Sequence, residues 1–154
     1  MAAELKPLQE WICDKCGEVI ASPTDGCLEW LADRDSLKIS GFKVVHHAPA
    51  SPYRAKDGNC YHYSSDLESH DMHLDMFLGL DGLARMVAWT YSPGVKSAKE
   101  WAEVFRRLHI PRYEEARRHW NSAQANGYFA EIDEESRYSQ QILQEVIEQY
   151  GESV

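Results

Sequence analysis

Two cysteines separated by two residues and followed by a glycine constrain this chain more than any other local feature. Cys13, Cys16 and Gly17 form the pattern C-x-x-C-G. The spacing aims two sulfur atoms at one point, and the glycine lets the chain turn tightly so that backbone N–H groups face the thiolates. Because Zn²⁺ takes four tetrahedral sulfur and nitrogen ligands, the pattern predicts half of a structural zinc site.

The segment over residues 11–20 resembles the first knuckle of zinc-ribbon and related zinc-finger proteins. This resemblance implies a structural Zn²⁺ ion held in part by Cys13 and Cys16. A ribbon normally supplies its other two ligands from a second C-x-x-C, which this sequence lacks. The remaining ligands are therefore expected from scattered positions.

The third and fourth ligands are predicted from the segments that follow the knuckle. Cys60 is the predicted third ligand because it begins a short run with strand character after a loop. His46 is the predicted fourth ligand because it shares a strand face with Phe42 and Val44, which should point into the core beside the ion. The alternatives for the fourth position are His47, Cys27 and His62.

Two other interpretations of the cysteines compete with zinc. Inert buried thiols explain Cys27 well but the C-x-x-C-G pattern poorly. A redox C-x-x-C lies at a helix N-terminus, whereas Val19–Ala21 and the Asp25-Gly26 turn predict a strand and a turn here. The H-E-x-x-H and H-x-E…C-x-x-C signatures of catalytic zinc sites are absent. We therefore predict a structural ion with all four positions filled by protein.

The order of predicted elements indicates an α+β fold. Short alternating apolar runs between turn signals predict a small zinc-stapled antiparallel sheet over residues 8–65. Its strands are expected at Cys27–Ala32, Leu37–His47 and Cys60–Tyr63. A helical, bundle-like part is predicted over residues 72–150. Neither part is large, so we expect that they can share one core.

Capping signals and apolar stripes predict four helices in the second part. Asp81 is expected to cap the first of them. Ser97 and Glu100 fit the S-x-x-E capping box and open the second. Pro111 stands where the first position of a third helix is expected. Asp133 is expected to cap the last.

The distribution of charge bears on the partners of this chain. The net charge is −9, yet residues 96–130 hold seven basic against four acidic residues. The predicted helix pair over residues 97–125 has the outline of a helix-turn-helix, which makes nucleic-acid binding an alternative function. Its arginines are Arg106, Arg107, Arg112, Arg117 and Arg118. The overall negative charge, and Glu114 and Glu115 at ion-pairing spacing, favour a salt-bridged or protein-binding surface instead.

A second group of metal-binding residue types lies between residues 62 and 75. His70 and His73 alternate with Asp71 and Asp75, and His62 lies upstream. Such groups can bind a transition metal. We interpret the segment as a polar loop that leads into Leu74–Leu78, and a second metal site through His62, His70 and His73 is the alternative.

The remaining features describe the class of protein. No apolar run reaches the roughly 18–20 residues that cross a bilayer, and the N-terminal residues lack a secretory apolar core. We therefore expect a cytoplasmic protein without membrane association. The predicted function is a zinc-containing, non-catalytic interaction or regulatory accessory module that binds an unidentified protein partner. A nucleic-acid-binding regulator is the first alternative, and a zinc-dependent enzyme is the second.

Overall fold

The computed structural model describes residues 3–52, 59–63 and 68–151, and it confirms the predicted α+β fold. The strands are β1 (Trp11–Ile12), β2 (Val19–Ile20), β3 (Gly26–Ala32), β4 (Ile39–His46) and β5 (Ser69–His73). The α-helices are α1 (Gly79–Trp89), α2 (Ala98–His109), α3 (Tyr113–Arg117), α4 (Trp120–Ala125) and α5 (Gln140–Tyr150). Short 3₁₀ turns precede β3, follow β4, and lead into α1 and α5.

The strands form two antiparallel sheets. β1 and β2 make a hairpin in which Trp11 pairs with Ile20. The second sheet has the order β4-β3-β5, so that β3 is central and antiparallel to both neighbours. The start of β3 therefore lies beside the ends of β4 and β5. Residues 27–30 of β3 are all buried.

Two expectations about strands are wrong. Cys60–Tyr63 is a turn and bend rather than a strand. The segment interpreted as a polar loop contains strand β5, which pairs with β3 through Cys27↔His73 and Leu28↔Met72. β5 is a sheet edge with mostly exposed side chains, so its sequence carries no buried alternation that would predict a strand.

The predicted helices exist, but two of them are interrupted. The helix expected from Pro111 begins at Tyr113 instead, and a turn at Arg118 and His119 divides it into α3 and α4. The helix expected after Asp133 begins as a 3₁₀ turn, and α5 itself is capped by Ser139, which accepts a bond from the Ile142 N–H. Leu78, not Asp81, is the residue before α1.

Of the two reciprocal hydrogen bonds of the capping box predicted at α2, the one accepted by Ser97 is confirmed. The Ser97 hydroxyl accepts a hydrogen bond from the Glu100 N–H at 3.1 Å. The Glu100 carboxylate, however, accepts a bond from the Gly41 N–H of β4 at 2.8 Å instead of returning to its own helix. The capping box therefore also fastens α2 to the sheet.

Two hydrophobic cores fill the described structure. The first combines both sheets with α1 and α2, and Phe42 of β4 packs on Trp101 of α2 with ring centroids 4.7 Å apart. The second core lies among α3, α4 and α5 and includes Tyr113 and Leu143. The knuckle and β4 belong to the first core, so packing against α2 holds both of them.

Candidate metal centre

Four predicted ligands come together beside the β1–β2 hairpin. The sulfur atoms of Cys13, Cys16 and Cys60 and a ring nitrogen of His46 lie within 4.8 Å of one another. His46 Nδ1 lies 3.4 Å from Cys16 Sγ and 3.8 Å from Cys60 Sγ. All four side chains are buried or half-buried. The arrangement is a candidate site for a metal ion, which we call the Cys₃His cluster.

Local backbone bonds shape the knuckle that carries the first two cysteines. The Cys13 N–H donates to the Glu18 carbonyl at 3.0 Å, and the Gly17 N–H donates to the Cys13 carbonyl at 3.0 Å. Gly17 has φ of +76°, a left-handed conformation that glycine adopts without strain. The Lys15 N–H points at Cys13 Sγ from 3.4 Å. The glycine and the inward N–H group are both features that the C-x-x-C-G pattern predicts.

His46 enters the cluster with a defined ring orientation. It is the last residue of β4 and is 4% exposed. Its Nε2 lies 3.1 Å from the Val19 carbonyl, which only accepts hydrogen bonds, so that Nε2 carries the proton. Nδ1 is then the free nitrogen, and it is the one that faces Cys16 and Cys60. A histidine whose other nitrogen donates to a carbonyl is the usual form of a metal-binding imidazole.

Cys60 is held in place by a contact of its own sulfur and by hydrogen bonds of the residues that follow it, neither of which was predicted from the sequence. Its Sγ lies 2.9 Å from the Ser51 hydroxyl. The buried Glu29 carboxylate accepts bonds from the N–H groups of His62 at 2.9 Å and Tyr63 at 3.0 Å. Glu29 lies on the central strand, so it ties the turn that carries Cys60 to the sheet. In the sequence, Glu29 could have been recognised as unusual because it is a charged residue among the apolar residues of β3.

The environment of the cluster raises the pKa of two of its thiols, those of Cys16 and Cys60. Burial raises the pKa of Cys16 to about 12, and the neighbouring Cys13 and Cys60 add to the effect. Burial also raises the pKa of Cys60. Three thiolates this close repel one another, and a divalent cation between them removes that repulsion. The chemistry of the donors therefore suits a bound metal ion.

An ion-pair network fastens the knuckle to the helices. The Arg107 guanidinium of α2 donates to both Asp14 oxygens, at 2.8 and 3.0 Å, and to both Glu114 oxygens, at 2.8 Å each. It also donates to the Ile12 carbonyl at 3.0 Å. Asp14, between the two knuckle cysteines, accepts a bond from the Val44 N–H at 2.7 Å. We call this the Arg107 network.

The Arg107 network is buried. Arg107 is 4% exposed and Glu114 is 7% exposed. Burial alone would lower the pKa of Arg107, but Glu114 and Asp14 outweigh it and raise the pKa above its ordinary value. The spacing of charges predicted that Arg107 and Glu114 belong to a salt-bridged or protein-binding surface, whereas both are buried. The signal against this is that Arg107 follows Trp101 and Val104 at helical spacing, on the buried face of α2.

The other basic side chains lie among acidic partners or on the surface. Arg106 stacks 3.9 Å from the Tyr138 ring centroid, and Arg118 pairs with Glu115 at 2.9 Å. Arg117 lies 3.4 Å from Glu103 and 3.9 Å from Asp14. Arg112 is exposed. Binding of nucleic acid through these arginines stays a prediction.

The alternative ligands lie outside the Cys₃His cluster. Cys27 and His47 lie next to each other, with Sγ 3.7 Å from Nδ1, and burial raises the pKa of Cys27 to about 11. His70 stacks on Trp30 with ring centroids 6.0 Å apart. His62 joins no group of metal-binding side chains in the part of the chain that the structure describes.

Comparisons of the chain with protein-family models, curated proteins and solved structures found no match. Within residues 3–52, 59–63 and 68–151, no helix is both long and apolar enough to cross a membrane.

Proposed function

We propose that Cys13, Cys16, His46 and Cys60 hold one structural Zn²⁺ ion. The observation that carries this proposal is the mutual approach of the four donor atoms within 4.8 Å. Sulfur and nitrogen ligands of a tetrahedral zinc ion lie about 3.5–3.8 Å apart, as follows from the usual bond lengths. The distances of 3.4 and 3.8 Å from His46 Nδ1 to the two sulfurs lie close to this range.

The donor set favours zinc and a structural role. Three thiols and one imidazole form one of the usual Cys₃His sets of structural zinc, whereas Ca²⁺ and Mg²⁺ prefer oxygen. Four protein ligands leave no position for a substrate. The ion would join the hairpin to the end of β4 and to the turn at Cys60, three segments that meet in the first core.

Metal analysis of the purified chain tests the assignment. We expect one zinc ion per chain that survives dialysis against a weak chelator. Cys60→Ser should lose this ion, whereas Cys27→Ser removes another buried thiol, outside the cluster, and should keep it. A native chain that retains no zinc and is as stable with a strong chelator as without it would contradict the proposal.

We propose further that the zinc-stapled fold serves as a non-catalytic interaction module with α1 as its contact face. Leu80, Leu83 and Val87 of α1 follow one another at helical spacing and are 85%, 36% and 52% exposed, and Tyr91, in the turn after α1, is 75% exposed. Contiguous exposed apolar side chains mark protein-binding surfaces. Asp75 and Asp81 are exposed nearby, and the chain carries a net charge of −9. These charges favour a protein partner whose apolar surface has a basic rim.

A pair of charged substitutions tests this face. Leu80→Glu with Val87→Glu should weaken binding of a discrete partner, identified by crosslinking and then purified, by at least about tenfold, equivalent to about 1.4 kcal/mol. The control is Leu37→Glu, at a leucine that is 62% exposed in the β3–β4 turn. If the native chain, the double variant and Leu37→Glu all bind the partner equally well, α1 is not the contact face. A native dimer that the double substitution dissociates would assign the face to self-association instead.

A further inference from the structure

Three further metal-binding side chains meet at the start of the central strand. Cys27 lies near the beginning of β3, His47 directly follows β4, and His73 is the last residue of β5. Antiparallel pairing on both sides of β3 brings these positions together, with Cys27 opposite His73. Their donor atoms lie within 4.8 Å of one another. Distant parts of the sequence thus form a second group, which we call the CysHis₂ cluster.

The contacts within the CysHis₂ cluster are close. Cys27 Sγ lies 3.7 Å from His47 Nδ1, and the rings of His47 and His73 lie 4.3 Å apart between centroids. The Tyr61 hydroxyl lies 3.3 Å from His47 Nδ1 and 3.7 Å from Cys27 Sγ. Accessibility increases across the cluster, because Cys27 is buried, His47 is half-buried and His73 is exposed.

We propose that Cys27, His47 and His73 bind a second transition-metal ion that keeps one coordination position open to solvent. One thiol and two imidazoles suit zinc, cobalt, nickel or copper, and do not suit Mg²⁺ or Ca²⁺. Three protein ligands are one fewer than a tetrahedral ion takes, and this is the arrangement in which a metal binds water or a small anion. The exposure of His73 places that position at the surface.

The charges around the CysHis₂ cluster favour a cation. Asp71 and Asp75 lie near Cys27, as does the buried Glu29. Asp71 lies two residues before His73 on β5, and Asp75 lies two residues after it. A divalent ion bound to the thiolate of Cys27 would be attracted by this negative field rather than repelled by it.

Two segments of the chain, His46–His47 and Cys60–Tyr61, each place one residue at the Cys₃His cluster and the next residue at the CysHis₂ cluster. His46 belongs to the Cys₃His cluster and His47 to the CysHis₂ cluster. Cys60 belongs to the former, and the Tyr61 hydroxyl touches the latter. At His46 and His47 the backbone is extended, so the two side chains point to opposite sides and serve different sites. Order imposed by the first ion would therefore also position His47 and Tyr61.

Metal counting on the full chain tests the second site. With Zn²⁺ as the probe, we expect two ions per native chain after gel filtration in zinc-free buffer, of which a weak chelator removes one. His73→Ala should bind one ion, and it should fold normally because His73 is exposed. His70→Ala, an exposed histidine of the same strand outside the cluster, should still bind two. A native chain with one zinc ion that His73→Ala also retains would overturn the second site and leave the structural ion intact.

Binding of azide to the cobalt-loaded protein tests whether the metal in the CysHis₂ cluster has an open coordination position. In the Co²⁺-loaded protein, the visible spectrum of the second site is the difference between the native chain and His73→Ala. Azide should shift this difference spectrum because it can occupy the free position, whereas the spectrum of His73→Ala, with only the closed four-ligand site, should not change. A difference spectrum that azide leaves unchanged would overturn the open position.

Discussion

Replacement of Cys16 by serine is expected to remove the structural zinc ion and to destabilise the protein by more than about 3 kcal/mol, a fall in Tm of about 6–12 °C for a chain of this size. Structural zinc contributes about 10–16 kcal/mol of binding free energy in small zinc domains, which is comparable to the whole stability of a typical fold. The hairpin has only two residues in each strand. Without the ion, the hairpin loses its link through the metal to His46 and Cys60.

Thermal unfolding, followed with and without a strong chelator, measures this effect. In protein from which a weak chelator has already removed the ion of the CysHis₂ cluster, the strong chelator should lower the Tm of the native chain to that of Cys16→Ser. It should not lower the Tm of Cys16→Ser. Cys27→Ser is the control, because Cys27 is a buried thiol of the more exposed cluster, whereas Cys16 is half-buried. Equal losses of stability in the two variants, with no effect of the chelator, would contradict a structural ion.

Replacement of Arg107 by methionine is expected to destabilise the protein by about 3–5 kcal/mol, the cost of breaking a buried ion pair by removal of one partner. Methionine keeps most of the volume of the side chain but leaves the Asp14 and Glu114 carboxylates without their cation. Asp14 lies between the two knuckle cysteines, so its displacement should also weaken zinc binding, about 10–100-fold by analogy with residues that support metal ligands.

Denaturant unfolding and zinc titration together test the role of Arg107. The control is Arg34→Met, because Arg34 pairs with Glu68 at 3.2 Å on the surface, where its side chain is 74% exposed and the pair contributes about 0–1 kcal/mol. Addition of Asp14→Asn and Glu114→Gln to Arg107→Met should restore part of the stability, since no buried charge then lacks a partner. If Arg107→Met is no less stable than Arg34→Met, the network does not hold the knuckle.

Local patterns predicted much of the architecture because they act over a few residues. The capping box at Ser97 depends on one hydroxyl and one N–H three residues later, and it forms as expected. Alternation along β4 predicted that Phe42, Val44 and His46 share a buried face, and all three are buried. The expectation that Cys60 begins a strand is wrong, yet the structure still brings Cys60 beside His46. A turn tied down by a carboxylate positions a side chain as well as a strand does.

Contacts between residues that are far apart in the sequence could not be predicted from such local patterns. β5 has an edge position and exposed side chains, so only its pairing with β3 makes it a strand. The segment before α5 and the break between α3 and α4 likewise depend on tertiary packing rather than on propensity. His73 was grouped with His62 and His70 by proximity in sequence. The sheet register places it with Cys27 and His47 instead.

The sequence by itself determined the α+β order, the tight cysteine knuckle and the start of α2, because each depends on residues a few positions apart. Only the tertiary structure decided which histidine meets which cysteine, and that Arg107 is an internal cation rather than a surface one. Both outcomes depend on bonds across many residues, such as that between Arg107 and Asp14. Side-chain type shows which groups can bind a metal or pair with a charge, but the folded chain alone sets their distances.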